Sequence, residues 1–233
     1  IKTMNVTTFR DEEDLVLAEL PLPNVESLHL ERDNDNGQMP VIKAPNTRSL
    51  SVSFNERFFS LDHLNHERFP YLEALKITNV TLDTISTLPK STFKSLKSLA
   101  IEGPLFSNYD LEPLKSWSFP VLEDFTYKIT QKFGEADDAP TIRLLFSSPN
   151  LKRIILTFPS ASSGINEVLN AKVEISDFPA LEILEVEGVK DIELRAVINL
   201  KDFISDHESP LTTIAADELP NLSRLEYALA PRT

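Results

Sequence analysis

The sequence predicts an α/β solenoid: a curved, right-handed stack with a parallel β-sheet on its concave face and short helices or turns on its convex face. Three observations carry that expectation. A short apolar phrase recurs along the 233 residues, its copies are spaced almost evenly, and most copies are preceded by a proline at a fixed offset. With 41% hydrophobic and 25% charged residues, the chain has enough Leu, Ile, Val and Phe to fold around one continuous core. A single solenoid of about nine repeats is expected over residues 1–233, as a piece of a longer chain.

The phrase reads Pro-x-Leu-x-x-Leu-x-Leu, with substitutions. Its apolar slots are filled by Val25, Leu28 and Leu30, by Thr47, Leu50 and Val52, by Leu72, Leu75 and Ile77, and by Leu96, Leu99 and Ile101. The series continues with Leu122, Phe125 and Tyr127, Leu151, Ile154 and Leu156, Leu181, Leu184 and Val186, and Leu222, Leu225 and Tyr227. A truncated copy at the start holds Ile1, Met4 and Val6. The first slots fall at 1, 25, 47, 72, 96, 122, 151, 181 and 222, giving steps of 24, 22, 25, 24, 26, 29, 30 and 41. Most match a repeat of roughly 20 to 29 residues, enough for one strand and its return.

Each part of the phrase has a physical role. In Leu-x-Leu the apolar residues are two apart, so both point to one side of a short strand, and stacking copies buries them in a shared interior. The proline lacks an N–H and pushes its predecessor toward extended geometry, so it ends the return segment at a fixed point. Between strands, the spacing of Phe58, Phe59, Leu61 and Leu64, and of Ile142, Leu144, Leu145 and Phe146, predicts a turn or two of helix on the convex side. The long step before Leu222 contains Asp191 to Ile204, whose apolar spacing is helical, so residues 190–210 are read as a helical insertion or a degenerate repeat, with the helix first. A solenoid needs covered ends, so flanking domains or a partner are expected to cap it.

Over essentially its full length the chain resembles the leucine-rich-repeat family, through the Leu-x-x-Leu-x-Leu part of each copy. In that family an Asn usually follows three residues past the last slot. Here it stands at Asn55, while Asp33, Val80, Pro104, Thr130 and Pro159 replace it elsewhere, so the turn after the strand is expected to be irregular. Copies such as Phe69-Pro70-Tyr71-Leu72-Glu73 and Phe119-Pro120-Val121-Leu122-Glu123 resemble repeats carried downstream of an F-box, where they act as substrate receptors of ubiquitin ligases. No F-box motif lies within these residues.

If the slots face inward, the residues between them line the concave sheet. The early copies offer small polar groups such as Ser27, Ser49 and Ser51, and the later ones larger groups. Lys128, Arg153, Ile155, Ile183, Glu185, Glu187, Arg224 and Glu226 are the candidate protein-binding residues. An apolar pair, Ile155 and Ile183, ringed by charge is the pattern of a binding hot spot, since the anchor gains from burial and the rim sets specificity. The competing reading is that a loop of the same chain covers both.

The charge balance, 36 acidic against 23 basic residues for a net of −13, repels phosphate and disfavours nucleic acid and anionic membrane. A protein with a basic surface is the favoured partner, although an acidic surface also keeps an elongated protein in solution. The chain has no cysteine, so disulfides, thiolate zinc sites and cysteine nucleophiles are excluded, and a reducing compartment is favoured. No apolar run approaches the roughly 20 residues of a membrane span. The pair His63 and His66 is read as a solvated turn rather than a metal site, and the five glycines are too scattered to cradle a phosphate. No catalytic, cofactor or metal site is expected. The reading is a non-catalytic interaction module, a substrate receptor or scaffold in a cytoplasmic or nuclear assembly. The alternative is a secreted or cell-surface recognition protein glycosylated at Asn5, Asn79 and Asn221.

Overall fold

Alternation of apolar and polar residues, reinforced by Val, Ile and Thr, extends each copy of the phrase into a strand. The computed structural model describes residues 2–8, 20–32, 42–54, 61–62, 64–80, 85, 87–89, 94–105, 117–132, 141–144, 146–158, 169–205 and 219–227. Its strands are β1 (Thr3–Thr8), β2 (Leu20–Pro21), β3 (Ser27–Arg32), β4 (Ile42–Lys43), β5 (Ser49–Phe54), β6 (Ala74–Thr78), β7 (Ser98–Leu105) and β8 (Asp124–Lys132). They continue with β9 (Thr141–Arg143), β10 (Arg153–Thr157), β11 (Leu169–Ser176), β12 (Ile183–Glu187), β13 (Val189–Arg195), β14 (Asp202–Ser205) and β15 (Arg224–Tyr227).

Ten of these pair in chain order into one parallel sheet, β1-β3-β5-β6-β7-β8-β10-β12-β14-β15. Parallel neighbours in chain order require every connection to travel back to the starting end of the sheet, an arrangement compatible with a stacked solenoid. The register puts the apolar slots in rows. Leu28, Leu50, Leu75, Leu99, Phe125, Ile154 and Leu184 are successive partners, and none is more than 2% exposed. Burying each such side chain stabilises by about 1.5–3 kcal/mol. A second buried row runs through Leu30, Val52, Ile77, Ile101, Tyr127, Leu156 and Val186.

The return side differs from the expectation. Hardly any helix occurs among the described residues; the returns are turns and further strands. β13, β11 and β9 form a second parallel sheet, and β2 pairs with β4. Where residues 142–146 were expected to be helical, Thr141–Arg143 is a strand instead. The reason is tertiary: Val173 and Ile175, like Ile192 and Leu194, are two apart and fully or nearly buried, and stacking on the neighbouring return satisfies the backbone groups without a helix. The other expected helix, over 58–64, lies partly outside the described residues; its described end is a turn from Leu61 in which the Leu64 N–H donates to the Leu61 carbonyl at 2.9 Å.

Of the two readings of residues 190–210, a helical insertion and a degenerate repeat, the helix is the one the structure corrects. β13 and β14 occupy residues 189–195 and 202–205, and β14 joins the main sheet between β12 and β15. The helical spacing arose from two period-two stretches offset by a turn. Ile192 and Leu194 alternate inward, a corner at Ala196 with φ of 53° follows, and Phe203 and Ser205 then alternate inward again.

The residue just before each main strand forms a ladder of its own. In order these are Lys2, Glu26, Arg48, Glu73, Lys97, Glu123, Lys152, Glu182, Lys201 and Ser223. From Glu26 on, each N–H donates to the carbonyl of the preceding member at 2.8 or 2.9 Å. Sign alternates without exception from Lys2 to Lys201. Glu73 pairs with both Arg48 and Lys97, the latter at 3.0 Å, while Lys152 reaches Glu123 at 2.9 Å and Lys201 reaches Glu182 at 3.0 Å.

Candidate functional site

The polar residues between the slots populate the face of the main sheet turned away from the core, and parallel pairing arranges them in rows about 4.8 Å apart from strand to strand. In the first row Asp124, Arg153, Ile183, Asp202 and Arg224 are successive neighbours on β8, β10, β12, β14 and β15. The next row holds Thr126, Ile155, Glu185, Ile204 and Glu226. The third holds Glu102, Lys128, Thr157 and Glu187.

Ile155 and Ile183 therefore stand diagonally, one strand and two residues apart, because Arg153 pairs with Ile183 and Ile155 with Glu185. Both are half-buried, as is Ile204 on the far side of Glu185. Three isoleucines thus surround Glu185, and that carboxylate is fixed: Arg153 Nη2 donates to Glu185 Oε1 at 2.6 Å. Arg153 Nε is buried without a hydrogen-bond partner.

Of the candidate residues, Arg153, Ile155, Ile183 and Glu185 come together on adjacent strands, with Glu187 at the end of β12. Lys128 is drawn to the other side, where Glu102 holds it at 3.2 Å and Lys76 at 3.7 Å. Arg224 and Glu226 sit two strands beyond β12, on β15, and bond each other, with Arg224 Nε donating to Glu226 Oε1 at 2.9 Å. That hydrogen bond and the adjacent Glu226 charge raise the pKa of the Arg224 guanidinium further.

Ile204 and Asp202 are absent from the candidate residues, because the sequence reading put a helix ahead of a degenerate repeat over this stretch. The phrase itself could have found them. Leu200, Phe203 and Ser205 fill the three slots, splitting the 41-residue step into 19 and 22. The Asn199 side chain then donates to the Pro179 carbonyl at 2.7 Å, as Asn150 does to Pro120 at 2.7 Å.

On β5 to β7 the same face is mostly small, with Ser49, Ser51, Ala74, Ser98 and Ala100 beside the charged Lys76 and Glu102. His66 lies in the turn before β6, whereas His63 lies outside the described residues. Among the described residues no group of three His, Asp or Glu side chains is placed to hold a metal, and no helix is long and apolar enough to cross a membrane. Chemically the β10 to β14 region can bury an aliphatic group against three isoleucines and orient polar groups by ion pairs already formed. No protein-family model, curated protein or solved structure matches the chain.

Proposed function

We propose that the chain is a leucine-rich-repeat solenoid acting as a non-catalytic protein-binding module, with the outer face of β10, β12 and β14 holding the partner. The observation that carries this reading is the set of Ile155, Ile183 and Ile204 around the Arg153–Glu185 ion pair. Partly buried aliphatics beside charges fixed by their own neighbours offer an anchor whose surroundings dictate orientation. The leucine-rich-repeat reading is supported by the recurrence of the phrase and by its slots falling in register. The net charge of −13 favours a partner with a basic surface. A substrate-receptor or scaffold role in a cytoplasmic or nuclear assembly of the F-box ubiquitin-ligase type rests on the resemblance of the Phe-Pro-x-Leu-Glu copies.

The test is affinity capture from the native cells, read by mass spectrometry, with the parent chain beside Ile155→Asp and Ile183→Asp. Each variant is expected to lose the proteins the parent retains while its thermal unfolding stays close to the parent's, since the inner rows are untouched. Retention of the same proteins by either folded variant rejects the site.

A second reading is favoured by one observation: Asn5, Asn79 and Asn221 are all exposed, as glycan attachment requires. In that reading the chain is a secreted or cell-surface recognition protein. A mass shift on glycosidase treatment of the natural protein decides for it, and an unchanged mass decides against it.

A further inference from the structure

Repetition creates an ambiguity that the apolar rows cannot resolve. Leu50 pairs with Leu75, but Leu99 on the next copy presents the same side chain at the same slot. A strand that skipped its neighbour during folding would find an equally good apolar match. The residue preceding each strand removes that ambiguity. Native neighbours carry opposite charge, as Arg48 and Glu73 or Glu73 and Lys97 do. Next-but-one members carry like charge, so a skipped copy sets Arg48 against Lys97, or Glu73 against Glu123.

We propose that this alternating ladder is a pairing key, which favours the native neighbour and disfavours a skipped repeat while the sheet assembles. The backbone bond from each member to the one before holds the charges in line, so every junction of the sheet up to β14 is read in the same way. A single exposed ion pair contributes little to equilibrium stability. Its leverage is greater when competing pairings are otherwise alike, because a small bias then decides which one forms first and which persists as a trap. A double skip restores opposite charge, but it leaves two copies of apolar slots outside the core where a single skip leaves one, so burial weighs about twice as heavily against it.

Three variants of the chain separate this role from simple stabilisation. Glu73→Lys with Lys97→Glu keeps composition and net charge, but sets like charges at junctions 48/73 and 97/123 and opposite charges across the skipped pairs 48/97 and 73/123. Glu73→Gln with Lys97→Gln removes attraction without rewarding a skip. Inverting the sign at all nine charged positions preserves the alternation. Each is diluted from urea, and the native fraction is read by protease resistance and size-exclusion chromatography. The exchanged variant is expected to give roughly two- to fivefold less native protein than the neutral one, the scale of two exposed like-charge contacts, and the fully inverted variant to match the parent. Equal yields from the exchanged and neutral variants, or a loss in the inverted variant as large as in the exchanged one, overturn the proposal.

Discussion

Gly188 closes the corner between β12 and β13 with φ of 74°, and a Cβ added there would lie 2.5 Å from the Phe158 carbonyl oxygen. The close approach is part of the fold, since the Phe158 N–H donates to the Glu187 carbonyl at 3.0 Å across the same corner. Gly188→Ala meets both the left-handed penalty and the clash, so it is expected to cost about 2 kcal/mol or more. Urea denaturation should show a lower midpoint at an unchanged slope. Gly103 is constrained by space alone, because a Cβ there would collide with the Val80 carbonyl oxygen. Asn79, Asp177 and Ala196 accept φ of 58°, 66° and 53° at comparable corners, two of them with side chains that tolerate the left-handed region.

At the scale of elements, the charge ladder is where pH acts. Hydrogen bonding from Lys97 holds the Glu73 carboxyl below the usual glutamate range, and Lys152 does the same for Glu123. A carboxylate with a lowered folded pKa contributes stability above the unfolded pKa and loses it as pH falls through the lowered value. The variant Glu73→Gln with Glu123→Gln is therefore expected to melt below the parent at neutral pH, with the difference closing under about pH 4. Thermal unfolding across a pH series checks this, and high salt should shrink the neutral-pH gap because these groups are exposed. A difference that persists unchanged at low pH would place the effect elsewhere.

Across the whole molecule, one core joins the main sheet to the returns. Phe146, on a return, lies against Phe119, Phe125 and Phe178, with ring centroids 5.3, 4.9 and 5.4 Å away, and so ties successive copies together. In a stack whose stability is a sum over neighbours, such a residue counts at more than one junction. Phe146→Ala is expected to cost about 3–5 kcal/mol in denaturant unfolding. A loss near 1 kcal/mol would mean that the returns carry little of the core.

The amino-acid sequence by itself determined which residues face inward. Slots two apart can turn to one side only as strands, and the recurrence of the phrase aligns those strands, so the row from Leu28 to Leu184 was legible without coordinates. It also held the charge ladder, readable from the residue after each first slot, and the copy at Leu200, readable from its own slots. Tertiary structure alone decided the returns and the geometry of the candidate site. The returns are short enough that their conformation depends on whether the next copy supplies hydrogen-bond partners, and β11 pairs with β9 and β13 where spacing had predicted helix. Likewise Ile155, Ile183 and Ile204 lie far apart in sequence, and only interstrand register, set by the packed rows beneath, brings them around Glu185.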